Sequence, residues 1–156
     1  MNRFARNWII AAGIALATLM HSVAAHEGAT GIVKNRMDTM QNLAKAMKAI
    51  TQRVKANRDL GSIKADARTI QQLAGKITSV FPPGSNEHPS EAKGAIWQKW
   101  SDFEAKAGAL ATESGKLAEA DSRDVQSVTA QVRAVSQVCS GCHELYRAKA
   151  PKHHHM

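Results

Sequence analysis

The sequence predicts an all-α protein, an antiparallel up-down-up-down four-helix bundle. Apolar residues recur at alternating steps of three and four, and no stretch alternates with a period of two. Alanine, lysine and glutamine are plentiful, which favours helix. All four prolines lie between the apolar segments or at the end of the chain. Two short connections on either side of a longer one make consecutive helices antiparallel neighbours.

The first two predicted helices are separated by a turn at Gly61-Ser62, where Ser62 is the expected N-cap. The apolar stripe of the first helix consists of Val33, Met37, Met40, Ala44, Met47 and Val54. Leu43 and Ile50 widen this stripe, as a globular bundle core requires. The stripe of the second helix consists of Ile63, Ala67, Ile70, Ala74, Ile77 and Phe81.

The last two predicted helices follow the longest connection, residues 81–94, which contains Pro82-Pro83-Gly84 and is therefore irregular. The third stripe consists of Ile96, Trp100, Phe103, Ala107, Leu110 and Leu117. The fourth stripe consists of Val125, Val128, Val132, Val135, Cys139, Cys142 and Tyr146. Asp121 or Ser122 is the expected N-cap of the last helix.

The N-terminus has the features of a cleavable secretory signal peptide. Arg3 and Arg6 precede a short apolar run, residues 8–20, which is too short to span a bilayer comfortably. Val23 and Ala25 occupy the small-residue positions that a signal peptidase reads. We therefore expect export to the periplasm.

Two regions follow from this assignment: a signal peptide over residues 1–25 and a single four-helix domain over residues 26–156. Loss of the two N-terminal arginines lowers the formal net charge from +8 to +6. Nucleic-acid binding would require a clustered basic stripe with stacking aromatics, and aromatics make up only 4% of the chain. A basic face could instead attract an acidic protein partner.

The stretch "VCSGCHELYR" contains the only two cysteines, Cys139 and Cys142, followed directly by His143. A disulfide at this spacing closes too small a loop to restrain an unfolded chain. Zinc would require a fourth ligand that no residue at ligand spacing supplies. A thioredoxin-type dithiol belongs at a helix start in a βαβ unit. C-x-x-C-H is the attachment signature of c-type haem, and an exported all-α chain favours that interpretation.

With these features the chain resembles the class II c-type cytochromes, the cytochrome c-prime family. "CSGCHELYRAK" is similar to the C-terminal signature of that family, and the resemblance extends from about Gly31 to Lys149. "AIWQKWSDF" resembles its third-helix pattern of tryptophan and, six residues later, phenylalanine, here Trp97 and Phe103. "IVKNRMDTM" resembles its first-helix pattern of an arginine four residues before the position that faces the open side of the haem.

The resemblance implies one haem c, attached through Cys139 and Cys142, with His143 as the proximal iron ligand. It also places Arg36 and Arg147 beside the haem, where a guanidinium could neutralise a propionate. The alternative is that both arginines are solvated, which is the usual state of exposed arginine.

The distal position falls on Met40, and Met37, one turn away, is the rival ligand. A thioether can bind haem iron, and His/Met ligation raises the reduction potential. The sequence therefore indicates the low-spin, six-coordinate branch and single-electron transfer. Because methionine on a helical stripe is often only packing, a five-coordinate protein that binds nitric oxide or carbon monoxide is the alternative. A third possibility is a haem-free helical adaptor with an accidental motif.

No nucleophile–base pair stands out, so we do not expect an enzyme. The expected partners are redox proteins of the periplasm, with no nucleic acid and no stable membrane insertion after signal cleavage. The chain is expected to be a monomer or a homodimer.

Overall fold

The computed structural model describes residues 29–149, and within them all regular structure is helical apart from one isolated β-bridge. The predicted signal peptide and its cleavage site lie outside the described residues. The described residues form five α-helices: α1 (Gly31–Ala56), α2 (Ile63–Ala74), α3 (Ala95–Gln98), α4 (Trp100–Glu119) and α5 (Val125–Tyr146). Short 3₁₀ turns cover Leu60–Ser62 and Thr78–Val80.

The four long helices form a closed ring of neighbours. Helix α1 packs on α2, α2 on α4, α4 on α5, and α5 on α1. The short helix α3 packs against α4 and α5. This arrangement confirms the predicted all-α four-helix bundle. Both the start of α1 and the end of α5 contact the connection between α2 and α3, so these two helices are antiparallel.

Helix α1 ends at Asn57, which has left-handed dihedral angles (φ 45°, ψ 46°) and caps the helix. Its buried residues are Val33, Arg36, Leu43, Ala46 and Ile50. The predicted stripe was therefore partly wrong: Ala44 is exposed, and Met37, Met40 and Met47 are only partly buried. The centre of the buried face passes through Leu43 and Ile50, which leaves the methionines along one edge of it.

The stripes predicted for the second and third segments are confirmed, with every member buried except Trp100, which is partly buried. The helices themselves are shorter than expected. Helix α2 ends at Ala74. Ile77 and Phe81 therefore lie in the connection that follows the helix, and both are still buried. Lys99 has non-helical dihedral angles (φ −125°, ψ 47°) and separates α3 from α4.

Neither predicted helix cap has the expected form. Helix α5 begins after Asp124, whose Oδ1 accepts a hydrogen bond of 3.0 Å from the Ser127 N–H, so the expected caps Asp121 and Ser122 were wrong. Ser62 occupies the N-cap position of α2, but its side chain makes no capping bond and donates to Asp59 instead. In the part of the chain that the structure describes, no helix has the length and apolarity needed to span a bilayer.

Candidate functional site

The apolar face of α5 is buried along most of its length and is only partly buried at the two cysteines. Val132 and Val135 are buried, Cys139 and Cys142 are partly buried, and Tyr146 is buried again. Both thiols are free, and both side chains pack against the core. One face of the last turns of α5 thus presents two thiols that are accessible but lie against apolar side chains.

Burial raises the pKa of the Cys139 and Cys142 thiols above the ordinary value for cysteine. A thiol rather than a thiolate therefore predominates at neutral pH, whereas reactive dithiols have a lowered thiol pKa. Among residues 29–149 no cluster of three or more His, Cys, Asp or Glu side chains is arranged to hold a metal ion. The geometry therefore gives no support to the zinc or dithiol alternatives.

His143 lies on the flank of α5 that faces α1. On the other flank, Gln131 Nε2 donates to the carbonyl and the carboxylate of Glu113, at 3.1 and 2.7 Å, which marks the side towards α4. At about 100° per residue, His143 lies roughly 120° from Gln131, across the buried face. Because α5 has only α4 and α1 as long neighbours, the His143 flank faces α1.

The pKa of His143 is lowered, first by partial burial and then by the positive charge of Arg147, against which Glu91 acts weakly. The neutral imidazole is therefore the main form at neutral pH. This is the form in which histidine binds a metal. The residue as a whole is exposed.

Met40 lies on the flank of α1 that faces α5. Arg53 forms an ion pair with Asp66 of α2 and so marks the opposite flank. At about 100° per residue, Met40 is roughly 140° from Arg53, across the buried face. Met40 packs against the core, whereas Met37 lies about 60° further round towards solvent. The methionine flank of α1 and the His143 flank of α5 therefore face each other.

Arg36 is buried, and its guanidinium is bound by the connection between α2 and α3. It donates to the Val80 carbonyl at 3.0 Å, the Ser85 carbonyl at 2.7 Å, the Ser90 hydroxyl at 2.7 Å and the Ser85 hydroxyl. Its charge also lies 4.1 Å from the centre of the Phe81 ring. Burial lowers the pKa of Arg36. A role for Arg36 beside a haem propionate stays a prediction.

Arg147 follows the last residue of α5 and is exposed. Its N–H donates to the His143 carbonyl at 3.0 Å, and its Nε donates to Glu91 at 2.6 Å. Arg147 thus neighbours His143 as the sequence predicts, and its role at a propionate likewise stays a prediction. The sequence did not identify Glu91 or Ser90, because nothing local to residues 90–91 indicates contacts with helices that start and end far away along the chain.

An aromatic cluster supports the cysteine turn from the core side. The ring of Phe103 lies 4.9 Å from Phe81, 5.6 Å from Trp100 and 5.5 Å from Tyr146, measured between centroids. Edge-on and tilted rings at these distances attract one another. The cluster fixes the end of α5 against α4, and with it the position of the cysteine turn.

The donor set fits a covalently bound haem. Two accessible thiols on one turn can form thioether bonds, and an imidazole and a thioether, here on facing flanks of two helices, are groups that bind haem iron. The partly buried apolar side chains around them, which include Met47 and Val138, suit the apolar faces of a porphyrin.

Comparison with known proteins agrees with this chemistry. A profile of the family described as Cytochrome C' matches residues 31–147. The cytochrome c-556 of Agrobacterium tumefaciens (strain II Chrys) is 33% identical over 121 residues, covering 76% of this chain and 98% of that protein. The cytochrome c' of Pararhodospirillum photometricum is 29% identical, with 74% and 94% covered. The solved nitric oxide complex of a variant cytochrome c prime from Alcaligenes xylosoxidans is similar at 28% identity and a TM-score of 0.68, with 76% and 94% covered.

Proposed function

Because the chain belongs to the cytochrome c' family and is therefore a protein with covalent haem c, we propose that it is a periplasmic electron carrier with His143 and Met40 as axial iron ligands. In this proposal Cys139 and Cys142, the only cysteines of the chain, form the thioether bonds. The predicted signal peptide supports the periplasmic location. Electron transfer and gas binding are the two functions that the family membership allows.

The observation that carries the proposal is the opposition of two flanks. Met40 lies on the side of α1 that faces α5, and His143 lies on the side of α5 that faces α1. Met37 is turned further towards solvent and is the weaker candidate. A thioether at the distal position would fill the sixth coordination site and raise the reduction potential relative to a five-coordinate iron.

When bound, the haem supplies a one-electron iron couple. In this function the protein would hold the iron ligands in fixed positions. Cys139 and Cys142 fix the group to α5, His143 presents a neutral imidazole, and Met40 presents a sulfur that carries no charge. Two neutral ligands need no proton movement when the charge of the iron changes, which keeps the reorganisation small.

The charge distribution supports an acidic protein partner. The full chain has a formal net charge of +8. Lys48 and Lys55 lie along the exposed side of α1 next to the methionine flank, and neither forms an ion pair with another described residue. A partner with a negative patch would therefore be attracted to the face closest to the proposed haem site.

A second candidate function is the binding of nitric oxide or carbon monoxide at a five-coordinate iron. It is favoured by the similarity to the nitric oxide complex from Alcaligenes xylosoxidans. It also suits the partial exposure of Met40, which on this alternative would be a packing residue.

Carbon monoxide binding to the reduced holoprotein separates the two functions. If Met40 is a ligand, wild-type ferrous protein binds carbon monoxide slowly, because the sulfur must leave first, and Met40→Leu accelerates binding by about two orders of magnitude or more. Met37→Leu is the matched control, since it removes a methionine from the same helix, and it should leave the rate unchanged. Fast binding by the wild type, unaltered in Met40→Leu, would contradict His/Met ligation and favour the gas-binding function.

A further inference from the structure

Two arginines from different helices bind adjacent residues of one connection. Arg36 of α1 donates from Nη1 to the Ser90 hydroxyl at 2.7 Å. Arg147, directly after α5, donates from Nε to the Glu91 carboxylate at 2.6 Å. The dipeptide Ser90-Glu91 therefore joins the start of α1 to the end of α5.

Each arginine is one helical turn from a proposed iron ligand. Arg36 precedes Met40 by four residues, and Arg147 follows His143 by four residues. Because α1 and α5 are antiparallel, these two offsets run in the same direction in space, away from the connection. The contact at Ser90-Glu91 thus sets Met40 and His143 at similar heights along the bundle.

Both attachments of this connection involve more than one bond. On the α1 side, the guanidinium of Arg36 is buried and also bonds to the Val80 carbonyl and to both oxygens of Ser85. The charge of Arg36 is therefore satisfied even if one partner is lost. Buried bonds of a charged donor are worth more than exposed ones.

On the α5 side, the backbone itself pairs with the connection. The Ala148 N–H donates to the Glu91 carbonyl at 2.8 Å, the Lys93 N–H donates to the Tyr146 carbonyl at 2.9 Å, and Ala92 and Arg147 form an isolated antiparallel bridge. The exposed ion pair between Glu91 and Arg147 adds little by comparison. The backbone pairing is therefore the main attachment to α5.

We propose that residues 85–93 form a brace, anchored by Arg36 and by the backbone after α5, that holds the Met40 turn and the His143 turn at the correct separation for both to bind iron. Arg36 and Ser90 are thus positioning residues and do not contact the iron themselves. The proposal rests on the function proposed above, because the brace is taken to position Met40 and His143 as the two iron ligands.

The brace acts on the strength of the distal bond. In this proposal Met40 would be the weaker of the two axial ligands. If the α1 turn moved away from α5, the Met40 sulfur would be held less firmly, and an external ligand would enter faster. Loss of either anchor should therefore produce the same change, since a brace that is detached at one end transmits no constraint.

Two variants weaken one end each. Ser90→Ala removes the hydroxyl that accepts from Arg36 and from the Ala92 N–H. Ala148→Pro removes the N–H that donates to Glu91, and Arg147 already has the extended conformation (φ −105°, ψ 132°) that a residue before proline adopts. Ser114→Ala is the matched control, because it removes a buried serine hydroxyl bond to the Leu110 carbonyl within α4.

Carbon monoxide binding to the ferrous holoprotein is measured for each variant. Ser90→Ala and Ala148→Pro should each accelerate binding about three- to tenfold, the factor that corresponds to one lost hydrogen bond. The double variant should accelerate binding by less than the product of the two single factors, because both changes loosen the same brace. Independent anchors would instead multiply the two factors. Accelerations no greater than that of Ser114→Ala, or a multiplicative double variant, would overturn the proposal.

Amide hydrogen exchange of the holoprotein provides a readout that does not depend on whether Met40 binds the iron. In Ala148→Pro the amides of residues 36–40, on the far side of the brace, should exchange about three- to tenfold faster than in the wild type, as loss of one hydrogen bond implies. If Met40→Leu shows that Met40 is not a ligand, the function proposed above fails, and exchange alone decides whether the brace exists. Unchanged exchange at residues 36–40 would overturn the brace even where Met40 binds iron.

Discussion

At the scale of single residues, the contact between Tyr146 and Asp102 gives the most direct readout of the structure near the cysteine turn. The Tyr146 hydroxyl donates to Asp102 Oδ2 at 2.5 Å, and the ring is buried. This hydrogen bond raises the pKa of Tyr146 from the ordinary value of 10 to about 12, with further contributions from burial and from the charge of Asp102. Because the neutral phenol is favoured in the folded state, its contribution to stability is complete below pH 10.

Tyr146 is the only tyrosine of the chain, so its ionisation can be followed by the ultraviolet absorbance of tyrosinate. We predict a midpoint of about 12 in the folded protein. The stability that this contact provides should be lost as the pH rises from 10 to 12, because the unfolded chain ionises first. Asp102→Ala should move the midpoint back towards 10, and Glu104→Ala, an exposed acid on the same helix, should not. A wild-type midpoint near 10 would show that the contact is absent.

Candidate residues could be predicted where a local sequence motif indicates their chemistry. Residues whose role depends on tertiary contacts could not be predicted. C-x-x-C-H marks Cys139, Cys142 and His143 as candidates for haem attachment without any knowledge of the fold. Ser90 is an ordinary serine of an irregular connection, and its contact with Arg36 joins residues 54 positions apart. The contact of Asp102 with Tyr146 spans 44 positions. No pattern within either neighbourhood encodes such pairs.

At the scale of the helices, α1 shows why the identity of the buried face was only partly predictable. The set with Met37, Met40 and Met47 and the set with Leu43 and Ile50 both have helical spacing, so spacing alone cannot rank them. The packing of the buried residues of α1 on the core decides the ranking, and the ion pair of Arg53 with Asp66 marks the flank that faces α2. The methionines are consequently displaced to the edge that faces α5, the side on which the proposed iron ligand is required.

The ends of the helices were harder to predict than their existence. In "EADSRDV", three residues can act as caps, and the sequence alone does not choose among them. Asp124 is the cap, while Asp121 forms an ion pair with Arg123 at 2.8 Å. The break at Lys99 has no proline or glycine to mark it, so one predicted helix became the two helices α3 and α4.

At the scale of the whole molecule, the topology was predictable because the lengths of the connections restrict it. Two short turns and one longer connection allow few ways to pack four amphipathic helices. The path of the long connection was not predictable. Residues 81–93 fold back across the start of α1 and the end of α5, and this path depends on Arg36, whose burial no sequence pattern indicated.

The net charge of the molecule predicts the response of electron transfer to salt. Oxidation of the ferrous holoprotein by ferricyanide, an anionic probe, should slow as ionic strength rises, because screening weakens attraction beyond about 10 Å at 0.1 M salt. Lys48→Gln/Lys55→Gln should lower the rate at low salt about threefold. Lys64→Gln/Lys116→Gln is the control with the same change in net charge, since both lysines are paired with glutamates on α4. Equal effects of the two pairs would show that the α1 face is not the site of approach.

The spin state of the ferric holoprotein tests the central claim most directly, and electron paramagnetic resonance at neutral pH measures it. If His143 and Met40 both bind iron, the wild type gives a rhombic low-spin signal, and Met40→Leu converts it to a high-spin signal. A high-spin axial signal from the wild type, unchanged in Met40→Leu, would contradict the account and leave a five-coordinate haem with an open distal side.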